Sequence, residues 1–197
     1  RNPETGAWEE VGKAAKAERQ ICDILRTAPD RYLVGTSGGL FAMSDMRLGA
    51  ATLTGRTVSP VLRVGGGALW ALAKDDSTGT STVYHRNAET WKPVDALEGR
   101  AVTGLTQTRD GNVWVVIDGN GVLEVNPAAD PADAKHHLEG LNVRTVMQDT
   151  AGRTWCGLWG RGVASRNRGG AWTTHLEEES SAVLTMAEDT NGTIWVG

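Results

Sequence analysis

Aromatic residues other than tryptophan are almost missing from this sequence: against eight Trp there are two Tyr and one Phe in 197 residues. So skewed a balance points to a repeated motif that demands one residue type. Cysteine is scarce as well. Cys22 and Cys156 each lie in an apolar, strand-like run, ICDIL and TWCGL, as buried thiols acting as small hydrophobes do. A disulfide needs Cα atoms within about 7 Å, and the repeat register below places the two cysteines in different units, so none is expected. No apolar run approaches the roughly 18 residues that span a bilayer, and no signal peptide is visible. A formal net charge of −4 leaves no broad basic field, which argues against a nucleic acid or an anionic membrane surface as partner. Helical periodicity is confined to the composition of Lys13–Gln20 (KAAKAERQ), and no G-x-S-x-G, Walker or CxxC motif occurs. The apolar share of 40 % and charged share of 22 % are those of a globular protein rather than a disordered one. One domain over 1–197 is expected. Because the chain opens on Arg1 and stops at Gly197, a processed or trimmed piece is expected too.

What is present is a repeat. VTGLTQTRDGNVWVV (102–116), VRTVMQDTAGRTWCG (143–157) and AVLTMAEDTNGTIWVG (182–197) are variants of one phrase, and ICDILRTAPDRYLVG (21–35) and VLRVGGGALWALA (61–73) are worn copies. One anchor position holds Leu33, Trp70, Trp114, Trp155 and Trp195, at spacings of 37, 44, 41 and 40 residues. In each copy the first half alternates with the two-residue period of a strand, Val143, Thr145 and Met147 sharing one face. A turn follows: Asp110-Gly111, Ala151-Gly152 or Asn191-Gly192, residues that supply the positive φ a tight hairpin requires. A second strand carries the anchor, and a glycine-containing loop then opens a third strand (GLFAMS, GVLEV, GVASR). The fourth strand has its own tryptophan: Trp8, Trp91 and Trp172 stand 83 and 81 residues apart, two periods each. Its missing beats fall near Leu53 and His136-His137.

Four short antiparallel strands per roughly 40 residues make a propeller blade. The expected fold is therefore an all-β propeller of about five four-stranded blades, with repeats at 21–57, 58–101, 102–142, 143–181, and 182–197 together with 1–20. Inner strands are predicted near 21–27, 58–64, 102–108, 143–149 and 182–188, and each anchor side chain is predicted to sit between neighbouring blades. The chain ends are complementary: Arg1-Asn2…Gly6-Ala7-Trp8 matches Arg166-Asn167…Gly170-Ala171-Trp172. A closing blade shared between the termini is predicted, with Gly6–Val11 pairing beside Thr193–Gly197 and one strand, roughly eight residues against the repeat length, missing.

With the phrase V-x-x-(I/L/M)-x-x-D-x-x-G-x-(I/V/T)-W-x-G laid out, most fully in 182–197, the chain resembles the two-component-regulator propeller repeats. The likeness is strong over 102–197, moderate over 21–45 and weak over 46–101. Those repeats occur in extracytoplasmic sensor regions of bacterial hybrid histidine kinases, so the resemblance implies a periplasmic or extracellular module that recognises oligosaccharide. The sequence carries none of their downstream parts: no immunoglobulin-like module, membrane helix or kinase.

If the inner strand runs down the channel, the second-to-third-strand loops and the blade-to-blade links share the top face. That face collects Thr36-Ser37, Lys74-Asp75-Asp76, Asp118, Asn120, Trp159, Arg161, and the links around Arg56, Glu98–Arg100, Glu139–Asn142 and Glu177–Ser181. Trp159 has no duty in the repeat, and beside Arg161 it suits stacking on a sugar or packing on a peptide. Asp118, Asn120, Arg100 and Asn142 are the candidate polar contacts around it. No catalytic residue, metal or cofactor is expected; His136 and His137, adjacent on a strand, point to opposite faces and cannot both bind one ion. The leading expectation is a carbohydrate-binding or sensor module. A protein–protein scaffold comes second, with self-association or a second chain completing the ring, and a propeller lyase or hydrolase comes third.

Overall fold

A computed structural model describes residues 19–45, 47–86, 90–128, 133–176 and 182–197. Trp8, the Gly6–Val11 strand, most of Lys13–Gln20 and the Glu177–Ser181 link lie outside those residues. Within them the chain is all β apart from two 3₁₀ turns, Gly65–Gly67 and Asp95–Leu97.

Four sheets follow one another, each an antiparallel meander in chain order. The first holds β1 (Ile21–Ala28), β2 (Arg31–Thr36), β3 (Gly39–Ser44) and β4 (Arg47–Thr52). The second holds β5 (Thr57–Arg63), β6 (Leu69–Lys74), β7 (Ser81–Arg86) and β8 (Lys92–Pro93). The third holds β9 (Val102–Gln107), β10 (Val113–Ile117), β11 (Val122–Val125) and β12 (Lys135–His137). The fourth holds β13 (Val143–Gln148), β14 (Thr154–Leu158), β15 (Val163–Arg166) and β16 (Thr173–His175). A fifth sheet has only β17 (Met186–Glu188) and β18 (Ile194–Val196) among the described residues. The predicted inner strands are thus β1, β5, β9, β13 and β17, the last shorter than expected.

Successive inner strands pack on one another, β1 on β5, β5 on β9, β9 on β13 and β13 on β17, whereas no fourth strand packs comparably on the next sheet's fourth strand. The sheets converge at their first strands and splay at their fourth, the radial arrangement of propeller blades. The apolar core lies between sheets, in three successive slabs. Leu33, Leu40, Val58, Val61, Leu69 and Ala71 fill the first; Trp70, Leu72, Val102, Leu105, Val115 and Leu123 the second; Trp114, Val116, Val143, Val146, Cys156 and Leu158 the third. Leu33, Trp70 and Trp114 therefore sit between sheets and are buried. Trp91 and Trp172 flank the first and third slabs, half-buried.

The anchors fade toward the end of the array. Trp155 is half-buried, and Trp195, predicted as a buried anchor, is 63 % exposed because no described sheet packs on its face. At the other end Ile24 is 55 % exposed although Val61, Leu105 and Val146, which hold the same register in later sheets, are buried. The described sheets form an open series.

Hairpins hold the sheets in register at the bottom. Gly111, Gly152 and Gly192 have φ of 88°, 82° and 81°, a conformation glycine adopts without a Cβ penalty. Residues just before one hairpin reach back to the hairpin of the preceding sheet: Gln148 Nε2 donates to Asp110 Oδ2 at 3.4 Å, and the Thr150 amide donates to Glu188 Oε2 at 2.8 Å.

Candidate functional site

Each meander places the β2–β3-type loop beside the link entering its own first strand. The Ser37 amide donates to the Gln20 carbonyl, Asp118 to Ala101, and Trp159 to Asn142, at 3.0, 2.8 and 2.8 Å. These repeated bonds gather loops and links at one end of the sheets, as the strand order predicts.

The second sheet departs from the pattern there. Its β6–β7 loop is longer than the corresponding loops of the third and fourth sheets, and internal bonds shape it. Asp75 Oδ1 accepts from the Ser77 hydroxyl at 2.6 Å, the Ser77 amide at 2.9 Å and the Thr78 amide at 3.3 Å. The Ser77 hydroxyl, then these amides, hold the Asp75 carboxyl below its ordinary range. Asp76 Oδ2 takes the Thr57 hydroxyl at 2.6 Å. The two carboxylates of this loop, Asp75 and Asp76, thus help fix it.

The fourth strand of this sheet is displaced as well. β8 pairs only with Tyr84 and His85 of β7, whereas β12 and β16 pair with the loop-proximal ends of β11 and β15. The chain then turns through Asp95–Leu97, buries Val94 and Leu97, and returns through Glu98–Arg100.

Long loop and displaced strand together open a cleft of about 680 Å³ between the second and third sheets. Hydroxyls line it, from Thr57, Ser59, Thr80, Thr82 and Thr103, with Lys74, Arg100 and Asp118 added. The Lys74, Arg100 and Asp118 side chains bond to no other described residue. Such a volume falls within the range of small-ligand sites.

The candidate residues therefore separate. Arg100 and Asp118 share this cleft. Trp159 and Asn142 meet at the loop end of the fourth sheet, where Trp159 is 56 % exposed and the Arg144 guanidinium lies 5.2 Å from its ring centre. Arg161 is exposed on the same loop as Trp159. Asn120 is spent on structure: its Oδ1 accepts the Gly140 amide at 3.2 Å and its carbonyl meets His136 Nε2 at 2.7 Å.

A buried polar cluster escapes the sequence reading. Arg166 of β15 enters the third slab, 5.2 Å from the Trp114 ring centre and 5.1 Å from that of Trp172. It donates to Glu124 Oε2 at 2.6 Å, and His137 Nε2 meets the same oxygen at 2.9 Å while its ring stacks on Trp114 at 5.4 Å. Burial opposes ionisation of Glu124, but bonds from His137 and Arg166 outweigh it and hold the carboxyl low. For His137 burial wins over the Glu124 carboxylate and lowers the imidazole. Positive partners Arg166 and Lys135 act in the same direction.

The next sheet repeats the device with other residues. The Ser165 hydroxyl and His175 Nε2 stand 2.8 Å apart, and His175 lies against Trp155 with ring centres at 5.6 Å. This Ser–His pair occupies the positions of Glu124 and His137, and Ser165 is buried. It is a strand-to-strand latch, inaccessible to a substrate carbonyl. Cys156 is likewise no nucleophile: burial pushes its thiol well above the ordinary value.

No protein-family model matches this chain, and no curated protein matches it. Solved structures do. The chain is similar to the extracellular domain of the putative one component system BT4673 from B. thetaiotaomicron, with a TM-score of 0.70 and 17 % identity over 90 % of this chain and 25 % of that one. It is similar to YCF48 from Cyanidioschyzon merolae, with a TM-score of 0.66 and 12 % identity over 97 % of this chain and 70 % of that one. It is also similar to virginiamycin B lyase from Staphylococcus aureus, with a TM-score of 0.62 and 10 % identity over 92 % of this chain and 64 % of that one. At such identities the likeness is one of fold: an all-β architecture of propeller type. The chain spans a quarter of the length of the BT4673 domain.

Proposed function

We propose that this chain is a non-catalytic ligand-binding propeller module whose site is the cleft between the second and third sheets. The observation that carries the reading is the cleft lining: a bank of hydroxyls with a lysine, an arginine and an aspartate free to pair with a ligand. Sugar hydroxyls both donate and accept, and this lining offers both. Carbohydrate is the ligand class. Arg100 and Asp118 are its polar contacts, and Trp159, Arg161, Asn142 and Asn120 are not. The likeness to extracellular domains described as those of a one component and a hybrid two component system supports an extracytoplasmic sensing role. The sheets are proposed to belong to a five-blade ring.

The test is a glycan array followed by titration of the hits. Arg100→Ala and Asp118→Ala should each weaken binding about tenfold, the loss of one good hydrogen bond to a charged group, with the fold intact by circular dichroism. Unchanged affinity in both variants would move the site elsewhere.

A second reading is a protein scaffold. It is favoured by the exposure of Trp159, an aromatic of the kind that anchors interfaces, and one structural neighbour, YCF48, is described as bound to a D1 peptide. Here Trp159→Ala should abolish capture of a partner while leaving glycan binding unchanged.

A further inference from the structure

A second pocket lies at the hairpin end of the sheets, away from the cleft. It has a volume of about 310 Å³ and opens between the third and fourth sheets, beside the β9–β10 hairpin and the turn at Gly169. Two carboxylates, Asp110 and Glu124, and three cations, Lys135, Arg166 and Arg168, line it.

The acids are spent and two of the bases are not. Glu124 Oε1 accepts the Asn112 side-chain amide at 2.9 Å; its Oε2 accepts Arg166 at 2.6 Å and stands 2.9 Å from His137 Nε2. Asp110 Oδ1 accepts the Thr108 hydroxyl at 2.6 Å and the Asn112 main-chain amide at 3.3 Å, and Oδ2 accepts the Gln148 side chain at 3.4 Å. Burial opposes ionisation of Asp110, but these bonds outweigh it, and the charge of Arg168 acts with them. The Lys135 and Arg168 side chains, both on exposed residues, form no hydrogen bond or ion pair with another described residue.

The next interface between sheets shows what is missing here. Glu188 holds in the fifth sheet the register that Gln148 holds in the fourth. Its carboxylate accepts from Thr150 and faces Arg109 at 4.0 Å. With neutral Gln148 in that place, no third carboxylate lines the pocket among the described residues, and one positive charge is left in excess. Uncommitted donors beside saturated acids suit a ligand that only accepts. A guanidinium adds paired donors matched to two oxygens of one anion.

We propose that this pocket binds a small oxyanion, of the size of phosphate or a short dicarboxylate, held between Lys135 and Arg168. The site is separate from the cleft and independent of the reading given to it. It is tested by calorimetric titration of the whole chain with phosphate, sulfate, malonate and succinate at constant ionic strength, with chloride as the control for screening. The expected result is saturable binding of one oxyanion per chain, at least tenfold tighter than chloride. Lys135→Gln and Arg168→Gln should each weaken it about tenfold, the loss of one charge-assisted hydrogen bond, with unfolding midpoints unchanged. Gln148→Glu, which supplies the carboxylate of the next interface, should abolish it, and Arg100→Ala in the cleft should leave it as it is. The preferred anion, phosphate or dicarboxylate, then identifies the ligand's source. Chloride binding as well as the oxyanions, affinity untouched by both the Lys135 and Arg168 substitutions, or no binding of any of the four anions overturns the proposal. None of these outcomes bears on the cleft, whose own titrations use Arg100 and Asp118.

Discussion

At the residue scale, the environment of each tryptophan decides what it contributes. Trp114 is 1 % exposed, stacked on His137 and covered by Arg166, whereas Trp155 is half-buried and Trp195 is 63 % exposed. Truncating a buried tryptophan removes its transfer free energy and leaves a cavity. Trp114→Ala should therefore cost about 3–5 kcal/mol, Trp155→Ala less, and Trp195→Ala least, as read by urea unfolding. Equal costs would mean that burial does not set the ranking. The Glu124–His137–Arg166 cluster adds a pH signature. Both titrating groups are held below their ordinary values, so the unfolded chain binds protons at a higher pH than the folded one. Their stabilisation is complete above the ordinary histidine value of 6.5 and falls as the pH drops, first through His137 and then, below the ordinary glutamate value of 4.5, through Glu124. Unfolding midpoints from pH 8 to 3 should fall accordingly, and His137→Gln should flatten the upper limb, from pH 6.5 downward. An unaltered upper limb in that variant would place the acid sensitivity in other groups.

At the scale of the repeated element, one bond recurs in the last two copies and is missing from the third sheet. Asp149 Oδ2 accepts the Trp155 indole at 2.8 Å and Asp189 Oδ2 that of Trp195 at 3.1 Å, while Oδ1 of each accepts the amide four residues on. The third sheet has Thr108 at this position. Its hydroxyl bonds to Asp110 and to the Asn112 carbonyl, and the buried Trp114 indole nitrogen has no partner. Thr108→Asp combined with Asp110→Asn recreates the arrangement of Asp189 and Asn191 without two adjacent carboxylates. It should stabilise the protein by about 1 kcal/mol, the net worth of a satisfied buried bond, measured by chemical denaturation. No gain would show that the Trp114 indole cannot reach the new acceptor. The same comparison shows why the repeat was legible and the cleft was not. Trp70, Trp114 and the Gly111 and Gly152 turns recur because every blade needs them, so periodicity exposes them. The cleft exists where periodicity fails, in the Lys74–Thr80 loop and the displaced β8, within the copies that least resemble the phrase. The 44-residue spacing from Trp70 to Trp114 was its trace in the sequence. Strand order puts Arg100 and Asp118 at the end of the sheets where the cleft opens, because it positions loops whatever their length. Trp159 is singled out by its type and its place in a loop of the same face, and neither says which loops share a cleft.

At the scale of the whole molecule, the series of described sheets ends in two exposed apolar faces. Ile24 has the register of Val61, Leu105 and Val146, each of which packs toward the preceding sheet's anchor. Trp195 is an anchor with no described sheet following it. Ile21 adds apolar surface beside Ile24. Apolar faces of this kind seek cover, and in a propeller the natural cover for a Trp195-type face is an Ile24-type face. Closure of the proposed ring within the chain should bury both, so light scattering should give a monomer near 21.0 kDa. Ile24→Asp and Trp195→Ala should then be coupled, their combined cost in a double-mutant cycle differing from the sum of the single costs by more than about 0.5 kcal/mol, the usual limit of additivity for distant sites. The competing arrangement joins the faces between two copies. It would give twice the mass, a melting temperature that rises with protein concentration, and dissociation to monomer by Ile24→Asp. A concentration-independent monomer in which the two substitutions are strictly additive would exclude both arrangements and leave these faces as separate surfaces.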